Sequence, residues 1–237
     1  RPRRSARVLP AHLESNFINP AYAGAQPAKC IRLPADAPDG TPDASRGVAH
    51  IPRVRDGEFT ARDILDVVAA ARPDVGIVTL APELPGGLEL VRRLVSAGHR
   101  VSLGHSGASV DEAMAAIDAG ARHATHLFNR MAPMTHRAPG IAGAVLAREE
   151  VAAELICDGY HVHPAMSRVA IAAKGRDRLM AITDGTAGSG LARGATARLG
   201  GRQIRVTDSA AVLDDGTLAG STLTMDRAFR TIVTAFG

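Results

Sequence analysis

Ser-Leu-Gly-His-Ser at residues 102–106 and Ala-Thr-His-Leu-Phe-Asn at residues 124–129 are the stretches that decide the fold of this chain. In each stretch a short apolar run leads to a histidine, His105 or His126, and a helix-like segment lies between the two. This order predicts a strand, a helix and a second strand, with one histidine at the carboxyl end of each strand. Because neighbouring parallel strands lie about 4.8 Å apart, both imidazoles can reach one metal ion, for which neutral histidine is a common ligand.

The same alternation continues along most of the 237 residues. Short apolar runs that end in polar or small residues occur at 6–14, 75–83, 100–106, 123–129, 152–158 and 179–184. Helical patterns separate most of them, at 60–71, 87–97, 109–119 and 163–173, and Gly98 and Gly120 stand where helix C-caps belong. Six strand–helix units predict a parallel sheet covered by helices. Since a complete eight-stranded barrel needs about 250 residues, the units fit either an incomplete barrel or an open α/β sheet.

Two segments interrupt this alternation. Residues 33–55 are rich in Pro, Asp, Ala and Gly without a regular period, which predicts an irregular loop. Residues 194–214 alternate weakly around Gly200 and Gly201, which predicts a β-hairpin inserted after the last strand. We therefore interpret residues 1–237 as one α/β domain with these two interruptions.

Composition narrows the class of protein. The net charge of +4 is scattered apart from four arginines among the first seven residues, and no set of aromatic residues lies beside them, so we expect no nucleic-acid partner. Cys30 and Cys157 form no paired motif, which favours a reducing, cytoplasmic setting. No apolar run approaches the roughly 20 residues of a membrane span, and the basic start leads into no signal-like segment. We expect no contact with a membrane.

The predicted strand ends collect the residues that can do chemistry. In a parallel α/β barrel the catalytic groups lie at the carboxyl ends of the strands, and here these ends carry Glu14, Glu83, His105, His126, Asp158, His161 and Asp184. Two histidines and a carboxylate from separate strands can form a mononuclear hydrolytic metal site, in which a bound water has its pKa lowered towards about 7. Each residue alone also has a structural explanation: Glu14 or Glu83 can cap a helix, and Asp184 can make a turn before Gly185.

Eight short segments follow one another in a recognisable order. They are His-Leu-Glu at 12–14, Thr-Leu-Ala-Pro-Glu at 79–83, Gly-His-Ser at 104–106, Thr-His-Leu-Phe-Asn at 125–129, Arg-Ala-Pro-Gly at 137–140, Asp-Gly-Tyr-His-Val at 158–162, Ile-Thr-Asp at 182–184 and Leu-Ala-Gly-Ser-Thr-Leu-Thr-Met at 218–225. With these segments the chain resembles the N-acetylglucosamine-6-phosphate deacetylase family of the amidohydrolase superfamily. The resemblance implies a (β/α)8 TIM-like metal-dependent hydrolase barrel, incomplete, with about strands three to eight present.

The resemblance also implies roles for the matched positions. Glu14, His105 and His126 would bind one divalent metal ion, with zinc as the first expectation and iron, cobalt or manganese as alternatives. Asp184 would be the catalytic acid and base, while Glu83 is interpreted as structural. The substrate-binding positions would be Ala25 and Gln26 at the acetamide, Asn129 and Arg130 at the sugar, Arg137 and His161 at the phosphate, and Leu218, Ala219 and Gly220 along a lining loop. The implied reaction converts N-acetylglucosamine 6-phosphate to glucosamine 6-phosphate and acetate, in a cytoplasmic homodimer.

Three departures from the family pattern keep two alternatives open. Ser15 and Asn16 replace the usual Gly-Pro, Gln26 replaces a histidine of many members, and the family's first two strands, its small β domain and its terminal helices have no counterpart in this sequence. One alternative is therefore a truncated, inactive remnant that binds sugar phosphate weakly. The other is an amidohydrolase acting on a cyclic amide, which predicts a carboxylated lysine, and the only lysines, Lys29 and Lys174, end no predicted strand.

Overall fold

A parallel sheet of six strands dominates the computed structural model, which describes residues 8–14, 16–37 and 59–236. Each strand pairs with the next one along the chain, and all five pairings are parallel. The strands are β1 Ala11–Glu14, β2 Val75–Leu80, β3 Arg100–Leu103, β4 His123–Ala124, β5 Ala152–Ile156 and β6 Leu179–Ile182. The six predicted strands are therefore confirmed; β1 ends at Glu14 as predicted, and the other five end earlier than predicted.

A hydrogen bond across the sheet shows that the sheet is curled. In a flat sheet β1 and β5 would be four strand spacings apart, or about 19 Å. His12 Nδ1 on β1 nevertheless lies 2.9 Å from Glu154 Oε1 on β5. The two side chains can meet only if the strands bend around a common interior, so the sheet forms part of the wall of an α/β barrel. This geometry favours the incomplete barrel over the open sheet.

Helices connect the strands and cover the outer face of the sheet. The described helices are α1 Ala61–Ala70, α2 Gly87–Ser96, α3 Val110–Asp118, α4 Gly140–Ala147, α5 Pro164–Lys174 and α6 Met225–Thr231, the last continuing into a π-helical turn at Ile232–Phe236. The four predicted helices are confirmed to within one residue at each end. The α4 helix was not predicted, because its sequence is apolar on all sides and carries no amphipathic period.

Local sequence explains why several helices begin and end where they do. Capping boxes start α1, where Thr60 pairs with Asp63, and α3, where Ser109 pairs with Glu112. Gly98 follows α2 with φ 83°, and its amide donates to Val95 O while the next amide donates to Leu94 O. This is the Schellman arrangement, in which a left-handed glycine satisfies the last carbonyls. The predicted C-cap role of Gly98 is thus confirmed.

The core lies between the sheet and its helices. Along each strand, alternate residues point outward to the helices, and Leu80, Leu103 and Leu155 are fully buried in this way. Fully burying a leucine contributes about 1.5–3 kcal/mol. Among the intervening residues, which point into the barrel interior, Thr79, Ser102 and Glu154 are polar and buried. The outer face therefore supplies stability, and the interior carries the polar groups.

A second, smaller sheet follows β6. It contains β7 Thr196–Leu199, β8 Arg202–Val206, β9 Ala210–Val212 and β10 Leu218–Ser221, in the antiparallel order β10-β9-β8-β7. The predicted hairpin is present as β7 and β8, joined through Gly200 and Gly201 at positive φ. The sheet also contains β9 and β10, which the sequence analysis did not predict as strands because they are too short to show a clear alternation.

Two further sequence interpretations concern limited parts of the chain. Of the predicted irregular loop at 33–55, only residues 33–37 are described, and they contain a 3₁₀ turn at Pro34–Asp36; residues 38–55 lie outside the described part. Within the ranges that the structure describes, no helix has the length and apolar character needed to cross a membrane.

Candidate active site

Three polar residues that follow strand ends have a left-handed backbone conformation. The φ angles are 48° at His105, 29° at His126 and 47° at Asp184, and each residue comes two positions after the end of its strand. A non-glycine residue in this region costs of order 1–3 kcal/mol and cannot continue a strand. This is why β3 and β4 stop short of the histidines that the sequence had placed within them. Such strain concentrates at functional sites.

The turns bring two histidines together with Glu14, the last residue of β1. His105 Nε2 lies 3.0 Å from Glu14 Oε1, and His126 Nε2 lies 3.7 Å from Glu14 Oε2. The two Nε2 atoms are 3.0 Å apart. Both rings are almost fully buried, whereas 26% of the Glu14 side chain is exposed. The structure therefore brings Glu14, His105 and His126 together at one point.

The protonation of this cluster suits a cation. His105 Nδ1 is 2.7 Å from the carbonyl oxygen of Tyr22, which can only accept, so this nitrogen donates and Nε2 of the neutral ring keeps its lone pair. Burial and the neighbouring His105 lower the pKa of His126 to about 4. Burial would raise the pKa of Glu14, but His105, His126 and Gln26 together lower it to about 2. The Nε2 atoms of His105 and His126 and the carboxylate of Glu14, which converge in this way, fit a divalent ion.

Asp184 faces the same cavity. Burial raises the pKa of its carboxyl group, and the negative charge of Glu14 raises it further, to about 7, against the lowering effects of His161 and His105. A carboxyl group with a pKa near 7 can take up and return a proton at neutral pH. The backbone of Asp184 is fixed by β10, because Ser221 N donates to the Asp184 carbonyl oxygen at 2.8 Å.

A cavity of about 180 Å³ opens at this edge of the barrel. Its lining brings together eleven of the thirteen predicted site residues: Glu14, Ala25, Gln26, His105, His126, Asn129, Arg130, His161, Asp184, Leu218 and Gly220. Because β1, the turns after β3, β4 and β6, and the strand β10 all contribute, the cavity belongs to both the curled sheet and the small sheet.

Two groups that line the cavity are already hydrogen-bonded. Gln26 Nε2 donates to Glu14 Oε1 at 2.5 Å, so the amide lies directly beside the histidine–carboxylate cluster. His161 Nδ1 donates to Asp158 Oδ2 at 2.6 Å. His161 Nε2 is buried without a hydrogen-bond partner among the described residues. That nitrogen is therefore available to a bound molecule.

Two predicted site residues do not line the cavity. Arg137 is exposed in the loop between β4 and α4. Ala219 lies between Leu218 and Gly220 on β10, and because side chains alternate along a strand, its methyl group is buried in the core of the small sheet. Only its neighbours on β10 face the cavity.

Sequence reasoning missed several residues of the site. Ala23, Gly24, Thr186 and Leu199 also line the cavity. Leu199 comes from the predicted hairpin, and nothing in its local pattern shows that the hairpin reaches the site. No sequence pattern marked Gly24 as a site residue. In the structure a Cβ atom at this position would lie 2.6 Å from Arg130 Nε, so only glycine fits beside that side chain. Tyr22 contacts His105 through its backbone carbonyl, and because every residue carries such a carbonyl, the sequence could not indicate this contact.

Glu83 supports the turn that carries His105. Its carboxylate accepts from Ser106 Oγ at 2.7 Å, from Gly107 N at 2.7 Å and from Asn19 Nδ2 at 2.9 Å. Asn19 N in turn donates to the carbonyl oxygen of His105 at 3.0 Å. Glu83 therefore fixes the backbone around His105 without belonging to the cluster, as its structural interpretation requires.

A curled parallel sheet with two histidines, a carboxylate and a proton-accepting aspartate at the carboxyl ends of its strands has the architecture of a metal-dependent α/β-barrel hydrolase. Comparison with known proteins narrows this class. No family model matches the chain. The N-acetylglucosamine-6-phosphate deacetylase of Lysinibacillus sphaericus is 37% identical over 225 residues, which cover 95% of this chain and 51% of that protein. The N-acetylgalactosamine-6-phosphate deacetylase of Escherichia coli O157:H7 is 34% identical over 98% of this chain and 54% of its own length.

A solved structure gives the same result. A variant of the N-acetyl-D-glucosamine-6-phosphate deacetylase from Mycobacterium smegmatis, in complex with N-acetyl-D-glucosamine-6-phosphate, superposes with a TM-score of 0.79 at 36% identity. The match covers 95% of this chain and 53% of that structure. Over nearly its whole length, the chain is homologous to N-acetylglucosamine-6-phosphate deacetylases. It spans about half the length of the curated relatives it matches.

Proposed function

We propose that this chain carries the deacetylase site for N-acetylglucosamine 6-phosphate and hydrolyses the acetamide to glucosamine 6-phosphate and acetate. The observation that carries the proposal is the convergence of Glu14, His105 and His126 beside Asp184 in one cavity. The names of the homologous proteins supply the substrate class. We assign the six strands to strands three to eight of the complete barrel, and the proposal extends to a homodimer in the cytoplasm.

Glu14, His105 and His126 would hold one divalent ion. Zinc suits two histidines and a carboxylate, and iron, cobalt and manganese accept the same ligands. A bound ion would supply Lewis-acid polarisation of the amide carbonyl and a lowered pKa for the attacking water. The Tyr22 carbonyl would keep His105 in the tautomer that binds metal.

Asp184 would move the proton. Its carboxylate takes a proton from the attacking water as the oxygen bonds to the acetyl carbon. The same group then gives that proton to the amine nitrogen as the carbon–nitrogen bond breaks, so that acetate and the free amino sugar leave. A pKa near 7 suits both steps, because neither form of the carboxyl group is strongly favoured at neutral pH.

The remaining predicted residues would bind the sugar phosphate. Gln26 would donate from its amide near the acetamide group, and Ala25 would contribute backbone beside it. Asn129 and Arg130 would bind the sugar, with Leu218 and Gly220 also lining the cavity, while Ala219 between them would anchor β10 in the small sheet. His161 Nδ1 donates to Asp158, so Nε2, which has no partner among the described residues, would donate to the phosphate from the doubly protonated ring. Arg137 would complete the phosphate site with its guanidinium fork, which matches a phosphate in bidentate geometry.

N-acetylgalactosamine 6-phosphate is a second candidate substrate. The relative from Escherichia coli O157:H7 carries that name and is nearly as similar as the others. The two sugars differ only in the configuration of one ring hydroxyl, so groups along the sugar wall would decide between them. Both sugars therefore belong in the same assay.

The test is acetate release by the purified chain loaded with zinc, with each 6-phosphate sugar in turn. We expect turnover of at least one sugar, and loss of turnover in Asp184→Asn with the metal retained. A chain that binds one ion but releases no acetate from either sugar would contradict the proposal and favour the inactive remnant. Turnover of a cyclic amide instead would favour the other amidohydrolase.

A further inference from the structure

A second group of two histidines and a glutamate lies one layer below the metal-ligand cluster. His12 comes two residues before Glu14 on β1, His123 comes three residues before His126 on β4, and Glu154 points inward from β5. Their donor atoms lie within 4.8 Å of one another. We call these three residues the lower cluster, and Glu14, His105 and His126 the upper cluster.

Glu154 is the centre of the lower cluster. Its Oε1 is 2.9 Å from His12 Nδ1 and 3.0 Å from His123 Nε2. Its Oε2 accepts from the backbone amide of His126 at 3.3 Å, and its carbonyl oxygen accepts from Leu127 N at 2.8 Å. One buried residue thus holds both the strand that carries Glu14 and the turn that carries His126.

Hydroxyl groups extend this connection to the other strands. His12 Nε2 is 2.7 Å from Thr79 Oγ1 on β2. Thr79 Oγ1 is 2.7 Å from Thr125 Oγ1, which is 2.6 Å from Ser102 Oγ on β3. Side chains from β1 to β5 are therefore tied together directly below the turns from which the upper cluster emerges.

The pairing of atoms argues against a second metal site in the lower cluster. Each nitrogen that faces Glu154 already meets a carboxylate oxygen, and His12 Nε2 meets a hydroxyl. In the upper cluster His105 Nδ1 donates to the Tyr22 carbonyl, so Nε2 of the neutral ring keeps its lone pair, yet it lies 3.0 Å from Glu14 Oε1 and 3.0 Å from His126 Nε2. A carboxylate between two N–H donors is satisfied by hydrogen bonds, whereas a nitrogen lone pair that faces a carboxylate oxygen is satisfied by a cation between them.

We propose that Glu154 is a positioning residue for the metal ligands: it holds the His126 turn and, through His12, the end of β1. The proposal rests on the proposed function only in requiring the upper cluster to bind a divalent ion. Its physical basis is the left-handed backbone of His126, which persists only when its surroundings over-determine it. Partners of metal ligands commonly contribute 10–100-fold to metal affinity.

The test measures metal affinity by chelator competition, together with the visible absorption of the cobalt(II) form, in the full chain and in Glu154→Gln. The amide keeps the shape of the side chain but cannot accept from both histidines and the His126 amide as a carboxylate does. We expect one ion per chain, a 10–100-fold weaker affinity and shifted cobalt bands. His12→Gln removes the link between Glu154 and β1 and the contact with Thr79, but it leaves the bonds of Glu154 to His123 and to the His126 turn, so it should weaken binding in the same direction by a smaller factor.

Asp66→Asn is the matched control. Asp66 is a buried carboxylate on α1, paired with Arg62 at 2.9 Å, and it belongs to neither cluster. This variant should melt earlier than the parent chain while its zinc affinity and cobalt bands stay the same. The control therefore separates loss of stability from loss of positioning.

Three outcomes would overturn the proposal. The first is an unchanged affinity and cobalt spectrum in Glu154→Gln, or, if that variant does not fold, in His12→Gln. The second is two ions per parent chain and one per Glu154→Gln chain, which would make the lower cluster a metal site. The third is a parent chain that binds no ion, which removes the proposed function as well. If the variant weakens metal binding while the parent releases no acetate, the positioning role stands and only the deacetylase activity fails.

Discussion

The upper and lower clusters contain the same residue types, two histidines and one glutamate, yet their geometries favour different tasks. In the lower cluster each nitrogen facing Glu154 points at an oxygen that can accept its proton, and no member lines the cavity. In the upper cluster His105 Nε2, whose ring already donates from Nδ1, faces both Glu14 Oε1 and His126 Nε2 at 3.0 Å, and all three residues line the open cavity. The comparison teaches that a set of donors does not define a metal site. The direction of the lone pairs and access from solvent do.

The largest expected effect separates the clusters by truncation of one histidine in each. His126→Ala should abolish stoichiometric metal binding, because it removes one of three protein ligands. His123→Ala should keep one ion per chain but melt earlier, because it leaves Glu154 with one fewer donor. Metal analysis after gel filtration, with thermal melts, checks both. Retention of one tightly bound ion in His126→Ala would break the comparison.

The second effect concerns Asp184 at the open side of the upper cluster. Asp184→Asn keeps the size of the side chain and removes its basicity. Metal content should survive, and acetate release should fall by about 10² or more. Turnover close to that of the parent chain would rule out the role of proton carrier.

The third effect is the acid sensitivity of the metal-free chain. Burial would raise the pKa of Glu154, but His12 and His123 lower it to about 2, from an ordinary value of 4.5. A lowered folded pKa contributes stability that is present above pH 4.5 and is lost as the pH falls towards 2, about 3 kcal/mol in all. Thermal melts between pH 5 and 2 should therefore show a shallower decline in Glu154→Gln than in the parent. Parallel declines would mean that Glu154 is not held as a charged acceptor.

The smallest effect sharpens the comparison at the phosphate end. His161 lines the cavity, whereas Arg137 is exposed outside it. Arg137→Lys keeps the charge and loses the fork, so it should raise KM for the 6-phosphate sugar severalfold and leave the unphosphorylated sugar unaffected. His161→Gln should act in the same direction and more strongly. Equal losses on both sugars would show that Arg137 serves the fold or the chemistry instead.

The sheet and the upper cluster were predictable from the sequence because both depend on local patterns. Apolar runs gave the strands, helical periodicity gave the helices, and the strand ends gave seven polar candidates, from which the family resemblance selected Glu14, His105, His126 and Asp184. The early ends of β3 and β4 were not predictable, since nothing in residue type shows that a histidine will adopt a left-handed turn. The curling of the sheet joins β1 to β5 across 142 positions of sequence, which no local pattern encodes.

Three further features, the α4 helix, the role of Glu154 and the position of Arg137, were not predicted because local sequence carries no sign of them. The α4 helix is apolar on all sides, so it lacks the periodicity by which the other helices were found. Glu154 stands as one charge within an apolar run, where it gives no sign of its partners. Arg137 was assigned by resemblance alone, and its exposed position outside the cavity could not be foreseen from its motif.

The central claim is that one divalent ion binds the upper cluster and none binds the lower one. Anomalous diffraction at the zinc edge, from crystals of the zinc-loaded chain, tests it most directly because it locates the ion without assuming its ligands. We predict a single peak within coordination distance of Glu14, His105 and His126. A peak between His12, His123 and Glu154, whether alone or as a second site, or no peak in the barrel, would contradict the account.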